Sequence, residues 1–322
     1  MCVFRVWLLL TVVLAGNEAL AQDEISPSEC ASMLKQVADC CDSVTSYDLL
    51  LEFEKNEEGD GIADSFKVKI RIVCDYEEKR LASALLLSQD DPLRRRSRSA
   101  VRSQFIRDGN RLFTEFVSAP KRMPAADLNL HLNHHDIPNF KMVGFAFFPS
   151  VIYDSKEISK TRGIVLGALA THGVTTLKGR TVSVKARVPL KDGEAGRRFS
   201  VREYKFDLAT SLPTNFSCSF QHESDGKISS TPRYSSVIEW CEPTPGIRLP
   251  ESLFIVEHGL TLRDPNIREI DQLVKTKTTT EVKFNWFSVN DRIDPKAWDE
   301  ERWMDYASAR KLCELEDEDS SP

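Results

Sequence analysis

The chain has 322 residues, of which 41% are hydrophobic and 29% charged, and its formal net charge is −6. So mild an acidic balance excludes a generally basic nucleic-acid binder. The apolar share is enough for a buried core, and the length leaves room for one large all-β domain or two smaller ones.

Residues 1–21 read as an export signal. A lone Arg5 precedes the apolar run Trp7 to Ala15, which is shorter than the roughly 20 residues that cross a bilayer. Ala19 and Ala21 then form the small-x-small pattern of a cleavage site. A chain cut after Ala21 begins at Gln22 in the periplasm or outside the cell. Asn17 stands after Leu14-Ala15-Gly16, where a bacterial lipoprotein would need cysteine, so no lipid anchor is expected. Arg5 and Glu18 cancel, and the charge of the remainder is unchanged.

A helix is expected over residues 28–43, with Ser28 as N-cap and Leu34, Val37, Cys41 and Val44 at helical spacing. Alternation of period two then takes over. Tyr47, Leu49, Leu51 and Phe53 form one strand, and Phe66, Val68, Ile70 and Ile72 another, with the Gly-rich turn Asn56 to Gly61 between them. Leu81 to Leu87 fits a strand or a short helix.

Residues 88–103 read as an inserted loop carrying Arg94, Arg95, Arg96, Arg98 and Arg102 among serines. Such a patch could also attract anionic headgroups. Gln104 to Val117 folds back on itself through Asp108-Gly109-Asn110, and Lys121 to Asn139 is an irregular connection. A helix over Ile158 to Leu169 ends at Gly173. Inward and outward parity switches between Phe199/Val201 and Tyr204/Phe206, which suggests a β-bulge near Arg202. Further strands fit Phe216–Phe220, Ser235–Cys241, Leu253–His258 and Ile270–Val289. Asp294 caps a short helix with Pro295 in its first position, and Glu314 to Pro322 is an acidic tail with a disordered composition. The fold class expected is mainly β: a large, curved antiparallel sheet forming an unclosed half-barrel with a few covering helices.

Beyond Cys2, the cysteines at 30, 40, 41, 74, 218, 241 and 313 are odd in number, so at least one is unpaired or bridges chains. Cys218 and Cys241, each in a strand-like run, are the best candidate disulfide. His131, His134, His135 and Asp136 form a small cluster, but Asn129, Asn133 and Pro138 around it indicate a loop, and no metal site is assigned. G-x-S-x-G, H-E-x-x-H and phosphate-loop patterns are missing. A thiol–imidazole pairing of Cys74 or Cys218 with His172, His222 or His258 is the remaining nucleophilic combination. No catalytic residue and no cofactor is assigned, and the chain is read as a non-enzyme. Aromatic residues concentrate in two stretches, and Phe145, Phe147, Phe148, Trp286 and Phe287 are the candidate lining of an apolar ligand cavity.

Three segments carry a family resemblance. Tyr204-Lys-Phe-Asp207-Leu-Ala-Thr-Ser-Leu-Pro213 resembles the strand and turn of the outer-membrane lipoprotein-sorting family, the periplasmic lipoprotein carriers and their relatives. Gly246-Ile-Arg-Leu-Pro250, with Trp240 before it, is similar to a second strand entry. Phe284 to Asn290, followed by Ile293-Asp294, is similar to the closing strand. The resemblance implies an unclosed barrel capped by helices, with an apolar cavity for acyl chains. The arginine-rich stretch and the acidic tail are additions to that pattern. The expectation is an exported protein that binds a lipid or an acylated protein. The alternative is an interaction module that recruits envelope or membrane-surface material through a sheet edge or the Arg94–Arg102 patch.

Overall fold

A computed structural model describes residues 25–59, 62–91, 96–116, 120–125, 139–145, 155–189, 198–222, 233–262 and 273–314. Residues 1–21, expected to be an export signal, the histidines and aspartate at 131–136, Arg94, Arg95, Phe147, Phe148 and residues 315–322 lie outside them.

Helix α1 spans Pro27–Asp42. Its N-cap is Ser26 rather than Ser28. The Ser26 hydroxyl accepts from the Glu29 amide, and the Glu29 carboxylate accepts from the Ser26 amide at 2.6 Å. This reciprocal box, with proline in the first position, satisfies two end donors. The apolar spacing buries Cys30, Leu34, Val37 and Cys41 on one side.

The strands are β1 (Ser46–Gly59), β2 (Ile62–Asp75), β3 (Arg80–Asp91), β4 (Arg96–Arg107), β5 (Asn110–Thr114) and β6 (Lys121–Pro124). After helix α2 (Ser155–His172) come β7 (Val174–Lys178), β8 (Thr181–Pro189), β9 (Arg198–Asp207), β10 (Leu212–His222), β11 (Tyr234–Thr244), β12 (Ile247–Leu262) and β13 (Leu273–Val289). A 3-10 turn over Pro295–Trp298 leads into α3 (Glu300–Met304) and α4 (Tyr306–Glu314).

All thirteen strands belong to one antiparallel sheet in the order β6-β5-β4-β3-β2-β1-β13-β12-β11-β10-β9-β8-β7. Two meanders are therefore joined where the first strand pairs with the last, from Tyr47↔Val289 to Gly59↔Thr276. The sheet is curved and not closed, as its composition and alternation implied. On the concave face, α1, a 3-10 turn at Phe140–Met142 and α2 share one core with strands of both meanders. On the opposite face, α3 and α4 pack over β2, β3 and β4 in a smaller core that includes Val73, Ala82, Phe105 and Trp303.

Turn chemistry follows the residues. Asp108 and Gly109 both adopt positive φ, 52° and 70°, in the two-residue link from β4 to β5, the mirror-image turn that matches strand twist. At the end of α2, the Gly173 amide returns to Leu169 O at 3.0 Å. A Cβ there would stand 2.4 Å from that oxygen and 2.9 Å from Pro27, so only glycine allows this approach.

Four expectations change. Arg96, Arg98 and Arg102 belong to β4, whose register with β3 runs from Leu81↔Ile106 to Asp91↔Arg96; serine and β-branched neighbours favour extended backbone there. Lys121–Pro124 is a short edge strand rather than an irregular link. The parity switch near Arg202 is not a bulge, because β9 pairs with β8 without interruption. Instead Ser200, Arg202, Tyr204 and Phe206 face the concave core while Val201 is buried on the opposite face. Finally, Cys218 and Cys241 are free thiols. Cys218 stands opposite Tyr234, and at about 3.3 Å per residue Cys241 lies roughly 23 Å further along β11, beyond the about 7 Å limit of Cα separation for a disulfide.

Candidate functional site: the concave face of the sheet

The pleat places every second residue on the concave face, and register aligns these residues into rows that cross the junction between meanders. One row runs Trp286, Leu49, Ile72, Ser83, Gln104 and Phe113. The next runs Phe284, Leu51, Ile70, Leu85 and Arg102, with Glu115 beyond it on an ion pair of 3.3 Å. A third joins Leu253, Val282, Phe53, Val68 and Leu87. These rows are apolar from β12 to β2, and from β3 onward the polar side chains Ser83, Gln104 and Arg102 enter them beside the apolar Ile106 and Phe113. Ile70 and Leu85 are fully buried, and so are Ser83 and Gln104.

The segment 139–145 lies on this floor. Phe140 packs edge-on against Trp286 at 5.2 Å and Tyr47 at 5.5 Å, and Trp286 stacks on Phe284. Two buried arginines hold the segment's carbonyl groups. Arg162 on α2 donates to Lys141 O at 3.0 Å and to Asp42 at 2.7 Å. Arg202 on β9 donates to Phe145 O at 2.6 Å. Burial lowers the pKa of Lys141, against the opposing pull of Asp42, and its ammonium sits 4.7 Å from the centre of the Tyr76 ring.

Of the aromatic residues expected to line a cavity, Phe145 and Trp286 belong to this packed concave core. Phe287 does not join them. It is half exposed on the opposite face, with the Arg71 guanidinium 3.7 Å above its ring. The β1–β13 register shifts here and leaves Phe287 as an extra residue of β13, and its contact with Arg71 turns it away from the face that Trp286 shares. Arg102, expected in a solvated patch, sits on the concave face paired with Glu115.

Two indoles tie the family-like segments together. Trp240 donates to Pro213 O at 2.7 Å and Trp286 to Pro250 O at 2.9 Å. Asn290 accepts from the Thr45 amide at 2.7 Å and donates to Ser43 O, which binds the end of β13 to the link between α1 and β1. These motifs are fastenings of the sheet.

Six thiols are held as neutral groups. Burial pushes Cys41, Cys74, Cys218 and Cys313 up to about 12, and Cys30 and Cys241 up to about 11. Since the thiolate is the nucleophile, these groups act as small apolar fillers at neutral pH. Among the described residues no group of three or more His, Cys, Asp or Glu is placed to hold a metal ion. Nor is any helix among them long and apolar enough to cross a membrane.

The opposite face carries a half-open groove of about 400 Å³ over β9–β12, where Val237 and Phe254 are exposed beside Glu203, Lys205, Ser217 and Ser235. Sequence reading did not find this groove, or the anchoring of Lys141 O by Arg162. The parity switch at Arg202 was a signal of a buried arginine; Arg162 offered none.

No protein-family model matches the chain, and the search of curated proteins gives no match. Among solved structures, a DUF1329 family protein from Desulfovibrio piger is similar, at 10% identity over 87% of this chain and 100% of that one, with a TM-score of 0.32. LprF from Mycobacterium bovis is 9% identical over 84% of this chain and 99% of that one, with a TM-score of 0.27. The Pseudomonas aeruginosa MucA/MucB complex matches at 12% identity over 81% of this chain and 99% of that one, with a TM-score of 0.22. Likeness at this level leaves function to be read from the chain's own geometry.

Proposed function

We propose that this chain is an exported, non-enzymatic carrier that binds a lipid acyl chain, free or attached to a protein, on the concave face of its sheet. The observation that supports the reading is the continuous apolar floor crossing both meanders, in a sheet that stays open at both edges. Each methylene moved from water onto such a surface is worth about 0.8 kcal/mol, and no reactive group is needed for the task. The ligand takes the place of residues 139–145 on the floor. Because polar groups hold that segment at Lys141 O and Phe145 O, it can exchange without rebuilding the sheet.

Organic-solvent extraction of the purified protein, followed by mass spectrometry, tests the reading. A stoichiometric acyl species is expected. An empty extract from a folded sample that also takes up no fluorescent fatty acid overturns it.

A second reading, an interaction module, is supported by β7. This edge strand has one paired side, and its Val174 is 69% exposed. An extended partner segment could add to that edge, and a proline placed at Thr176 would abolish its capture while leaving acyl binding intact.

A further inference from the structure

We propose that the acyl ligand carries a terminal anionic group, and that Ser83, Gln104 and Arg111 on the concave face of β3, β4 and β5 receive it. The inference rests on the lipid-binding reading and deepens it.

In the rows that start at Trp286 and Phe284, the floor changes from apolar to polar across the strands. From β13 to β3 the rows are Trp286–Leu49–Ile72 and Phe284–Leu51–Ile70–Leu85. Beyond them stand donors. Ser83 is opposite Gln104, Gln104 is opposite Phe113, and Arg111 is opposite Ile106, diagonal to Gln104. Diagonal neighbours on one face are within reach of long side chains. Arg111 is buried beside these polar groups, and its planar guanidinium can hold a carboxylate or phosphate through several N–H donors at once. Gln104 and Arg111 also engage other groups, so a bound anion extends a polar network.

The second observation is Ser83 itself. Its hydroxyl is fully buried and has no hydrogen-bond partner among the described residues, although its strand position points it onto the floor between Ile72 and Gln104. Buried hydroxyls are normally satisfied, and a ligand oxygen at the end of the apolar rows would satisfy this one. Three strand spacings separate β13 from β3, roughly 14 Å. A medium-length chain lying across the strands would therefore reach from the Trp286–Phe284 end to these donors.

The test compares dodecanoate, dodecyl phosphate and 1-dodecanol binding to the full chain by displacement of a fluorescent fatty acid at neutral pH. An anionic ligand is expected to bind about tenfold or more tightly than the alcohol. Ser83→Ala and Arg111→Gln should each remove most of that ratio and leave the alcohol's affinity nearly unchanged. If Arg111→Gln fails to fold, Ser83→Ala still decides, because it removes an unpaired hydroxyl and leaves no new one. Equal binding of acid and alcohol overturns the anion site while preserving lipid binding. So does selectivity that survives both substitutions. Binding of none of the three removes the lipid-carrier reading itself. A preference between the carboxylate and the phosphate identifies the source as a fatty acid or a phospholipid-like headgroup.

Discussion

The two meanders share a buried concave face and differ on the opposite one. In the second, the concave face is covered by α1 and α2, which meet β12, β10 and β8, while the opposite face stays open and carries the Val237–Phe254 groove. In the first, that opposite face is closed by the C-terminal segment, with Trp303 1% exposed and Phe105 3% exposed. The Ser103 hydroxyl donates to Trp303 O, and the Trp303 indole donates to Ala297 O. The difference teaches that one sheet surface can be core in one half and solvent-facing in the other, according to which helix the chain has available to lay upon it.

Equivalent substitutions on the two halves should expose the contrast. Phe105→Ala and Trp303→Ala each open the closed face and should cost about 3–5 kcal/mol. Phe254→Ala, on the same face of the second meander, should cost less than about 1 kcal/mol because its ring is 40% exposed. Urea unfolding curves measure all three; equal losses at Phe105 and Phe254 would abolish the distinction.

Ser26→Ala, at the start of the helix covering the second half, should cost about 1 kcal/mol. Hydrogen bonds from the Ser26 backbone and side chain hold the Glu29 carboxyl below its ordinary pKa. Its contribution is therefore complete above the ordinary carboxylate range and is lost as pH falls through the depressed value. Glu29→Gln should flatten that acid limb of the stability curve, read by circular dichroism across pH 2 to 6, a window set around the usual glutamate pKa of about 4.3. The smallest effect is expected at Ser83→Ala, where loss of an unpartnered buried hydroxyl should leave the unliganded protein as stable or slightly more so. A thermal melt checks this, and destabilisation beyond about 1 kcal/mol would reveal a partner for the hydroxyl.

Thiol accessibility separates the halves in another way. Cys74 and Cys313, both buried against the first meander, should resist iodoacetamide in the native protein, and half-exposed Cys40 should react first. Peptide mapping after brief alkylation gives the order, and early labelling of Cys313 would mean that the C-terminal cover opens readily.

The strands were legible wherever one face is buried and the other wet, as in Phe66 to Ile72, where the alternation is strict. It misled at Arg202, whereas residues 96–102 were read as a loop from their arginine and serine content although they form β4. A two-residue period shows which side a residue faces but not whether an arginine there is solvated or enclosed. Among the aromatic residues around position 286, alternation required that some point away from any shared surface, and only the register shift of β13 decided that Phe287 is one of them. The pairing of Cys218 with Cys241 failed because strand membership says nothing of register.

By itself the sequence determined the local matters: extended or helical backbone from periodicity, the Asp108–Gly109 turn from residues that tolerate positive φ, and the Asp294 cap before Pro295. Tertiary structure alone decided the rest. The pairing of β1 with β13, the choice of covered face in each half and the convergence of Ser83, Gln104 and Arg111 join residues far apart in the chain. Their proximity depends on register and helix placement, which come from the free energy of the whole core and not from any one segment.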